Sequence, residues 1–168
     1  MDPGLADLNA LTDAEARERL RACCAATAWL DAVLAGRPYG DRPALEQASS
    51  AALAALDWDG VLRALAAHPR IGERVAARSR EAAWSASEQS GVDGATEATR
   101  SALADANRAY EDRFGHVLLI FATGRTDEQM LAAARQRLHH DVVVERQTVR
   151  SELAKIVALR LTKLLDGS

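Results

Sequence analysis

Helix start and stop signals recur along the whole chain, and they constrain its fold more than any other feature of the sequence. Thr12–Glu15 and Thr126–Gln129 match the capping box, in which two side chains satisfy backbone N–H groups at the start of a helix. Gly36 follows an apolar helical pattern at a position typical of a helix end. Between such signals, apolar residues recur three or four positions apart, which is the period of an α-helix. The sequence therefore predicts an all-α protein.

The apolar pattern predicts about eight helices. They run from Thr12 to about Cys24, Thr27 to Ala35, about Pro43 to Leu56, Trp58 to Ala66, Arg74 to Trp84, Ala95 to Phe114, Thr126 to about Leu138, and Val142 to Leu165. Asp57 is placed to cap the helix that begins at Trp58. Because no repeat, linker or low-complexity stretch separates these segments, we expect a single-domain bundle over residues 1–168.

The core of this bundle must be built from small and aliphatic side chains. Aromatic residues make up only 4% of the chain, whereas 48% of its residues are hydrophobic. Ala, Leu and Val let helices approach closely, so that many tight contacts replace a few bulky ones.

The charge pattern argues against nucleic acid and anionic membranes as partners. The formal net charge is −3, and the 21 basic residues are scattered. No apolar run approaches the roughly 18–20 residues of a membrane span, and the start of the chain does not resemble a secretory signal. The two cysteines, Cys23 and Cys24, are neighbours, which excludes a disulfide framework and favours a reducing compartment. We therefore expect a cytoplasmic protein.

The stretch His68–Glu73, with the sequence HPRIGE, interrupts the helical pattern and concentrates polar chemistry. Pro69 disfavours helical geometry at His68, and Gly72 allows a sharp turn. Imidazole is the side chain best suited to proton transfer near neutral pH, so His68 is a candidate acid/base. The alternative is that the His-Pro pair only ends a helix while the charged neighbours face solvent.

Ser85, Glu88 and Gln89 form a second candidate group. The spacing of Ser85 and Glu88 by itself favours a capping box for a short helix that Gly91 ends. In that case Glu88 folds back on its own backbone and is not available for catalysis. A functional role requires that Glu88 and Gln89 face a cleft.

Arg160 is the third candidate, because it falls within the apolar stripe of the last predicted helix. The stripe consists of Val149, Leu153, Ile156, Val157, Leu161 and Leu164. A guanidinium there must reach solvent or meet an anion, since burying an unpaired charge costs several kcal/mol. A carboxylate ligand suits its planar pair of donors. A structural salt bridge, or a stem lying along the surface, is the alternative.

The apolar run Val117–Phe121 is the fourth candidate. It follows Gly115 and is predicted to be extended, although no other segment offers a partner strand. Its backbone N–H and C=O groups would then need partners, which a ligand rich in amides and carbonyls could supply. The alternative is that the helix continues across Gly115.

The remaining histidines do not form a predicted metal site. His139 and His140 are adjacent, rather than three or four apart, and lie at a predicted helix C-terminus where the helix dipole favours them. His116 could be structural or functional. Because no set of His, Cys, Asp and Glu has zinc-site spacing, we predict no metal.

Taken in order, the motifs HPRIGE, SxxEQSG and YEDRFGHVLLIFATGR, followed by a helix ending in ELAKIVALRL, resemble those of the 2-oxo-4-hydroxy-4-carboxy-5-ureidoimidazoline (OHCU) decarboxylase family. The resemblance covers nearly the whole chain, although its first sixty residues match only in helical pattern. It implies an all-helical fold, a homodimer and no cofactor. It also implies formation of (S)-allantoin in the last step of urate degradation.

By motif position, the resemblance implies that His68 is the catalytic acid/base, Glu88 its acidic partner and Arg160 the anion-binding residue. It further implies a substrate-binding set, which comprises Pro69, Ser85, Gln89 and the backbone of Ile120, Phe121, Ala122, Thr123 and Gly124. Two departures leave open a shifted substrate preference. They are the order Arg70–Glu73 after the His-Pro pair, and His116, where many family members have an aromatic residue.

Other classes of function remain possible from the sequence. A non-catalytic helical module for ligand binding or protein interaction would use Ser85 and Glu88 as a cap and Arg160 as a structural ion pair. A helix-turn-helix regulator is disfavoured by the acidic balance. A metallohydrolase is weaker still, since no metal-ligand spacing is present.

Overall fold

The computed structural model of the chain describes residues 2–72, 84–85, 88 and 96–168. Within these ranges it contains eight bounded helices and no strand, which confirms the all-α prediction. The helices are α1 (Pro3–Ala10), α2 (Asp13–Arg21), α3 (Thr27–Ala35), α4 (Arg42–Ala54), α5 (Trp58–Ala66), α6 (Glu97–Phe114), α7 (Asp127–Arg137) and α8 (Val142–Asp166). None of these helices has both the length and the apolar character needed to cross a bilayer.

Local capping signals account for most of the helix starts. Both predicted capping boxes are present, with Thr12 bonded to Glu15 and Thr126 to Gln129 through side chain and backbone. Asp57 caps α5 by accepting a hydrogen bond from the Gly60 N–H at 2.7 Å.

Helix α1 was not predicted from the sequence, although its start signals are present. The Asp2 side chain accepts a hydrogen bond from the Leu5 N–H at 3.1 Å, and proline occupies the first turn of the helix. The predicted helix from Arg74 to Trp84 lies outside the described residues except for Trp84, which is helical.

The chain divides into two compact units, Met1–Ala64 with Ala154–Ser168, and Leu65–Leu153. Both boundaries fall within helices, namely α5 and α8. That residues 1–168 form a single domain stays a prediction.

The first unit has the aliphatic core that the composition predicts. Its most deeply buried side chains include Leu5, Leu8, Leu20, Leu30, Leu45 and the aromatic Trp29. The Trp29 indole N–H lies 3.2 Å from Ser49 Oγ, so the polar end of this buried ring is hydrogen-bonded. A Cβ added to Gly4 would lie 1.9 Å from the Leu165 carbonyl oxygen. Helix α1 therefore packs backbone to backbone against the end of α8.

The second unit is built around one cluster of buried apolar residues. The cluster consists of Ile71, Leu103, Ala106, Tyr110, Leu118, Ile120, Ala122, Met130 and Ala134. It joins α6 and α7 to the non-helical stretch between them and to the turn that follows α5.

Helix α6 ends at Gly115, which adopts a left-handed conformation with φ of 78° and donates its N–H to the Glu111 carbonyl at 2.8 Å. Residues 115–126 are not helical. The interpretation that the helix continues across Gly115 is therefore wrong. Val117–Phe121 is an irregular segment with no strand partner among the described residues.

Candidate active site

His68 lies on the corner that the sequence predicts. Helix α5 ends at Ala66, and the His68 N–H donates to the Leu65 carbonyl at 2.9 Å. His68 and Pro69 are both partly exposed. Gly72 has a φ of 83°, a left-handed conformation that side chains with a Cβ rarely adopt. The chain thus turns sharply just after the imidazole.

The residues that follow the His-Pro pair contact α6 and the core cluster in three ways. The Arg70 guanidinium forms a two-point ion pair with Glu111, with distances of 2.6 and 3.0 Å. The Asn107 amide N–H donates to the Ile71 carbonyl at 2.9 Å in a buried setting. The Ile71 side chain is only 6% exposed and belongs to the same core cluster as Ile120. The corner and the irregular segment therefore share one core.

Ser85 and Glu88 are buried helical residues, with exposures of 2% and 8%. Because Trp84 is already helical, Ser85 cannot be the non-helical N-cap that a capping box requires. The capping-box interpretation of this pair is therefore wrong. Gln89, the third member of the predicted group, lies outside the described residues.

The segment that the resemblance assigns to substrate binding is buried at one end and exposed at the other. Ile120 and Ala122 are 3% and 5% exposed, Phe121 is half-buried, and Thr123 and Gly124 are exposed. A turn closes the segment, with the Arg125 N–H donating to the Ala122 carbonyl at 3.0 Å.

The backbone N–H groups of Ile120, Phe121 and Ala122 donate no hydrogen bond to any of the residues that the structure describes. Buried backbone donors are normally paired, by protein, water or ligand. A row of such donors beside exposed residues can bind an anionic or carbonyl oxygen.

Just before this segment lies a buried group of charges that the sequence did not reveal. Glu145 is 1% exposed, and its Oε1 accepts hydrogen bonds from Tyr110 OH at 2.5 Å and from Arg137 Nε and Nη2 at 2.8 and 2.6 Å. His140 Nδ1 lies 2.9 Å from the other carboxylate oxygen. Arg137 also donates through Nη1 to the Leu119 carbonyl at 2.6 Å. The bonds from Tyr110 to Glu145 and from Arg137 to Leu119 join residues 35 and 18 positions apart, so no local pattern links them.

Burial raises the pKa of Tyr110 above its ordinary value of 10.0, and its hydrogen bond to Glu145 raises this pKa further, while Arg137 acts in the opposite direction. The phenol therefore stays protonated and continues to donate to the carboxylate well above neutral pH.

Arg160 occupies the apolar stripe of α8, as predicted. It is 1% exposed, and its Nη1 lies 3.3 Å from the Ala22 carbonyl oxygen. The stem of Arg160 therefore does not lie along the surface, which makes that interpretation wrong. Arg160 belongs to the first compact unit, whereas His68, Glu88 and the segment Ile120–Gly124 belong to the second.

A cavity of about 430 Å³ lies between the residues that follow the His-Pro pair and α6. Its lining consists of Arg70, Ile71, Gly72, Arg100, Leu103, Ala104, Asn107, Arg108 and Glu111. None of the described residues predicted to bind or transform substrate is among these lining residues.

The other histidines have structural surroundings. The His116 ring meets the Tyr110 ring edge-on, with centroids 5.5 Å apart, and His139 lies exposed just beyond the end of α7. Over the described ranges, no three His, Cys, Asp or Glu side chains are grouped so that they could hold a metal ion. Cys23 and Cys24 are buried thiols rather than partners in a disulfide.

The family model, a curated relative and a solved structure all point to the same protein family. The family model described as OHCU decarboxylase matches residues 9–162. The chain is 37% identical, over 113 residues, to the uric acid degradation bifunctional protein TTL of Arabidopsis thaliana, a match that covers 66% of this chain and 34% of that protein. It thus spans about a third of that relative. It is also 26% identical over 127 residues to the OHCU decarboxylase of Haloferax volcanii, covering 76% of this chain and 74% of the relative.

Two solved structures share the fold. One is an OHCU decarboxylase crystallised in the presence of (S)-allantoin, with a TM-score of 0.74, 28% identity, and coverage of 87% of this chain and 96% of that chain. The other is an (S)-allantoin synthase with a TM-score of 0.70 and 21% identity, which covers 95% of this chain and 53% of that chain. At that lower identity, the second structure shows the fold alone.

Both tyrosines of the chain should resist ionisation in alkaline solution. Burial raises the pKa of Tyr39, and the pKa of Tyr110 is raised as described above. The native state therefore keeps these protons at pH values where the unfolded state, with a tyrosine pKa of about 10, loses them. The resulting stability is fully present below about pH 10 and is lost as the pH rises further.

We expect tyrosinate absorbance to appear only together with loss of the helical circular dichroism signal. In Tyr110→Phe, the fall in stability above about pH 10 should be shallower than in the wild type, because one raised pKa is removed. Tyrosinate absorbance that developed at ordinary pH while the helical signal stayed intact would contradict the assigned surroundings of both phenols.

Proposed function

The chain belongs to the OHCU decarboxylase family, and on this premise we propose that it converts OHCU into (S)-allantoin and carbon dioxide, the last step of urate degradation. The main support for this proposal is the extent of the match to the family model. Residues 9–162 include the His-Pro corner, the Ser85–Glu88 pair, the irregular segment and Arg160. A relative of the same fold that was crystallised with (S)-allantoin present supports the choice of product.

The proposed reaction needs no electron-accepting cofactor, because the substrate itself can hold the electrons. OHCU carries a carboxylate and a hydroxyl on the same ring carbon. When the carbon–carbon bond to the carboxylate breaks, its electron pair passes into the unsaturated carbon–nitrogen unit next to it, and the nitrogen of that unit takes up a proton. The product of this step is an enol. A proton delivered to the ureido-bearing carbon, and one lost from the hydroxyl, then give allantoin.

We assign the proton transfers to His68. Its imidazole lies at a sharp corner that is tied to the core through Ile71, so its position is fixed while the ring stays partly exposed. Such a group can accept the hydroxyl proton and return a proton to one face of the enol. Glu88 is assigned as its acidic partner, in keeping with a carboxylate that is only 8% exposed. Delivery to one face would make the product a single enantiomer.

We assign stabilisation of the developing negative charge to the segment Ile120–Gly124. The N–H groups of Ile120, Phe121 and Ala122 donate to none of the described residues, and a substrate oxygen would satisfy them. One such donor, aimed at charge that develops in the transition state, contributes about 2.7–4 kcal/mol in enzymes where it has been removed.

The remaining assignments follow the family motifs. Arg160 is proposed to bind the carboxylate of the substrate, because a buried guanidinium offers two parallel donors to such a group. Pro69, Ser85 and Gln89 are proposed to line the substrate site.

The direct test supplies freshly generated OHCU and follows the growth of optically active allantoin by circular dichroism. We expect purified protein to produce the (S) signal far faster than the spontaneous reaction, which yields a racemate. If the protein leaves the reaction at its spontaneous rate, the assignment as a decarboxylase is wrong. A thermal shift with (S)-allantoin but no turnover would instead support a non-catalytic ligand-binding module.

In the same assay, His68→Asn should abolish turnover because the proton carrier is lost, while the far-ultraviolet helical signal stays intact. His139→Asn is the matched control, since it removes an exposed imidazole outside the proposed site. Activity close to that of the wild type in His68→Asn would contradict the catalytic role.

We also propose that the protein is a homodimer. The resemblance to the family implies it, and the valines Val142, Val143 and Val144 at the start of α8 are 52%, 68% and 41% exposed, which favours a protein partner for this surface. Sedimentation velocity should give a mass near twice the 18.0 kDa of one chain. A single species at the monomer mass over a wide concentration range would contradict the dimer.

The cytoplasm is the proposed compartment. Its reducing conditions suit two buried thiols that do not form a disulfide. Recovery of the protein in the cytosolic fraction of its own cells is the check, and its presence in an oxidising compartment would overturn the proposal.

A further inference from the structure

We propose that Arg137, held by Glu145 and Tyr110, is a positioning residue that aims the Ile120 N–H at the substrate. This inference rests on the proposed function of the segment Ile120–Gly124. It assigns a role to a buried ion pair that neither the family motifs nor the sequence pattern picks out. Its physical basis is the geometry of a single peptide unit.

The Leu119 carbonyl and the Ile120 N–H belong to the same peptide group. That group is planar and trans, so its C=O and N–H point in opposite directions. Arg137 Nη1 donates to the Leu119 oxygen at 2.6 Å, which fixes the direction of the carbonyl. The same bond therefore fixes the direction of the Ile120 N–H, which points away from Arg137 and donates to none of the described residues.

Arg137 can hold this carbonyl firmly because its own position is set by other bonds. Two of its nitrogens, Nε and Nη2, bond to Glu145 Oε1 at 2.8 and 2.6 Å, which leaves Nη1 for Leu119. Tyr110 OH, on α6, fixes the same carboxylate oxygen at 2.5 Å. The guanidinium is planar and rigid, so two fixed nitrogens determine where the third one lies.

A lysine could not reproduce this arrangement. Its ammonium group is a single point on a flexible stem, and it cannot keep two bonds to Glu145 while it reaches the Leu119 carbonyl in the same geometry. The pair is also poorly explained by stability alone, because apolar residues often replace a buried ion pair without loss of stability. A role in fixing one conformation accounts for an arginine at this place.

The first experiment compares Arg137→Lys with the wild type in the OHCU assay. We expect kcat to fall by about tenfold to a hundredfold, somewhat less than for removal of an oxyanion donor, because the N–H is present but misdirected. KM should change little, since the effect falls on charge that develops in the transition state. The enantiomeric excess of the allantoin should also fall, as slow enzymatic turnover competes with the spontaneous reaction.

Arg37→Lys is the matched control. Arg37 also has a largely buried guanidinium, with its side chain 7% exposed, and it also donates to backbone carbonyls, those of Asn9 and Leu11. It belongs to the first compact unit, whereas the segment Ile120–Gly124 belongs to the second. We expect Arg37→Lys to lower the melting temperature as Arg137→Lys does while leaving kcat and the enantiomeric excess unchanged.

A kcat and an enantiomeric excess of wild-type size in folded Arg137→Lys would overturn the inference, as would equal losses in Arg37→Lys. If Arg137→Lys does not fold, Tyr110→Phe serves as the test of the positioning role. This substitution removes one hydrogen bond to Glu145 with little change in side-chain volume. Its kcat should fall at least about twofold with KM unchanged, and no change in kcat would overturn the inference.

A second readout separates failure of this inference from failure of the proposed function. In the wild type, (S)-allantoin should slow hydrogen exchange at the Ile120 amide, and in Arg137→Lys this protection should be lost. If the wild type shows the protection but does not turn over OHCU, the proposed function fails and the positioning role stands. If OHCU is turned over and the Ile120 amide is protected equally in both proteins, the positioning role fails alone.

Discussion

The packing of the second compact unit depends on the hydrogen bonds that the buried carboxylate of Glu145 accepts. A carboxylate that is 1% exposed is costly unless its oxygens are fully hydrogen-bonded. Here donors from Tyr110, Arg137 and His140 meet it, and they come from α6, from the end of α7 and from the turn before α8. Loss of any one element would leave a charge without enough partners. The requirement to satisfy one side chain therefore fixes three parts of the chain relative to one another.

Helix α6 carries this constraint to both halves of the proposed site within this unit. Its Tyr110 donates a hydrogen bond to Glu145, which holds Arg137, and Arg137 in turn donates to the Leu119 carbonyl. About one turn nearer its start, Asn107 holds the Ile71 carbonyl beside the corner that carries His68. The exposed Arg70–Glu111 pair adds little, since surface ion pairs contribute about 0–1 kcal/mol. The buried contacts of Ile71 are the ones that place the corner.

The sequence was sufficient for features that local chemistry determines. Capping boxes predicted the starts of α2 and α7, and the apolar stripe of α8 placed Arg160 in the interior, as its 1% exposure confirms. Gly72 predicted the sharp turn that follows His68. Even the wrong interpretation of Ser85 has a local cause. The same spacing of Ser and Glu occurs at a helix start and within a helix, and only the backbone of Trp84 distinguishes the two.

Features that depend on distant residues could not be predicted. The bond from Tyr110 to Glu145 spans 35 positions and that from Arg137 to Leu119 spans 18, so no short pattern announces either bond. In the sequence, Arg137 is a basic residue at the end of a predicted helix, where the dipole favours any positive charge. After Leu119, the N–H groups that donate to none of the described residues were anticipated in kind, because an apolar run without a partner strand is expected to leave donors in need of partners. Their direction could not be anticipated, because the arginine that sets it comes from another helix.

We propose that substrate binds at the segment Ile120–Gly124 and at His68, rather than in the cavity beside α6. Chemical-shift mapping of backbone amides during titration with (S)-allantoin tests it most directly. We expect the largest changes at Ile120, Phe121 and Ala122, with smaller ones around His68, and we expect (R)-allantoin to produce weaker changes. Changes centred instead on Arg100, Asn107 and Arg108, with the segment Ile120–Gly124 unaffected, would contradict it.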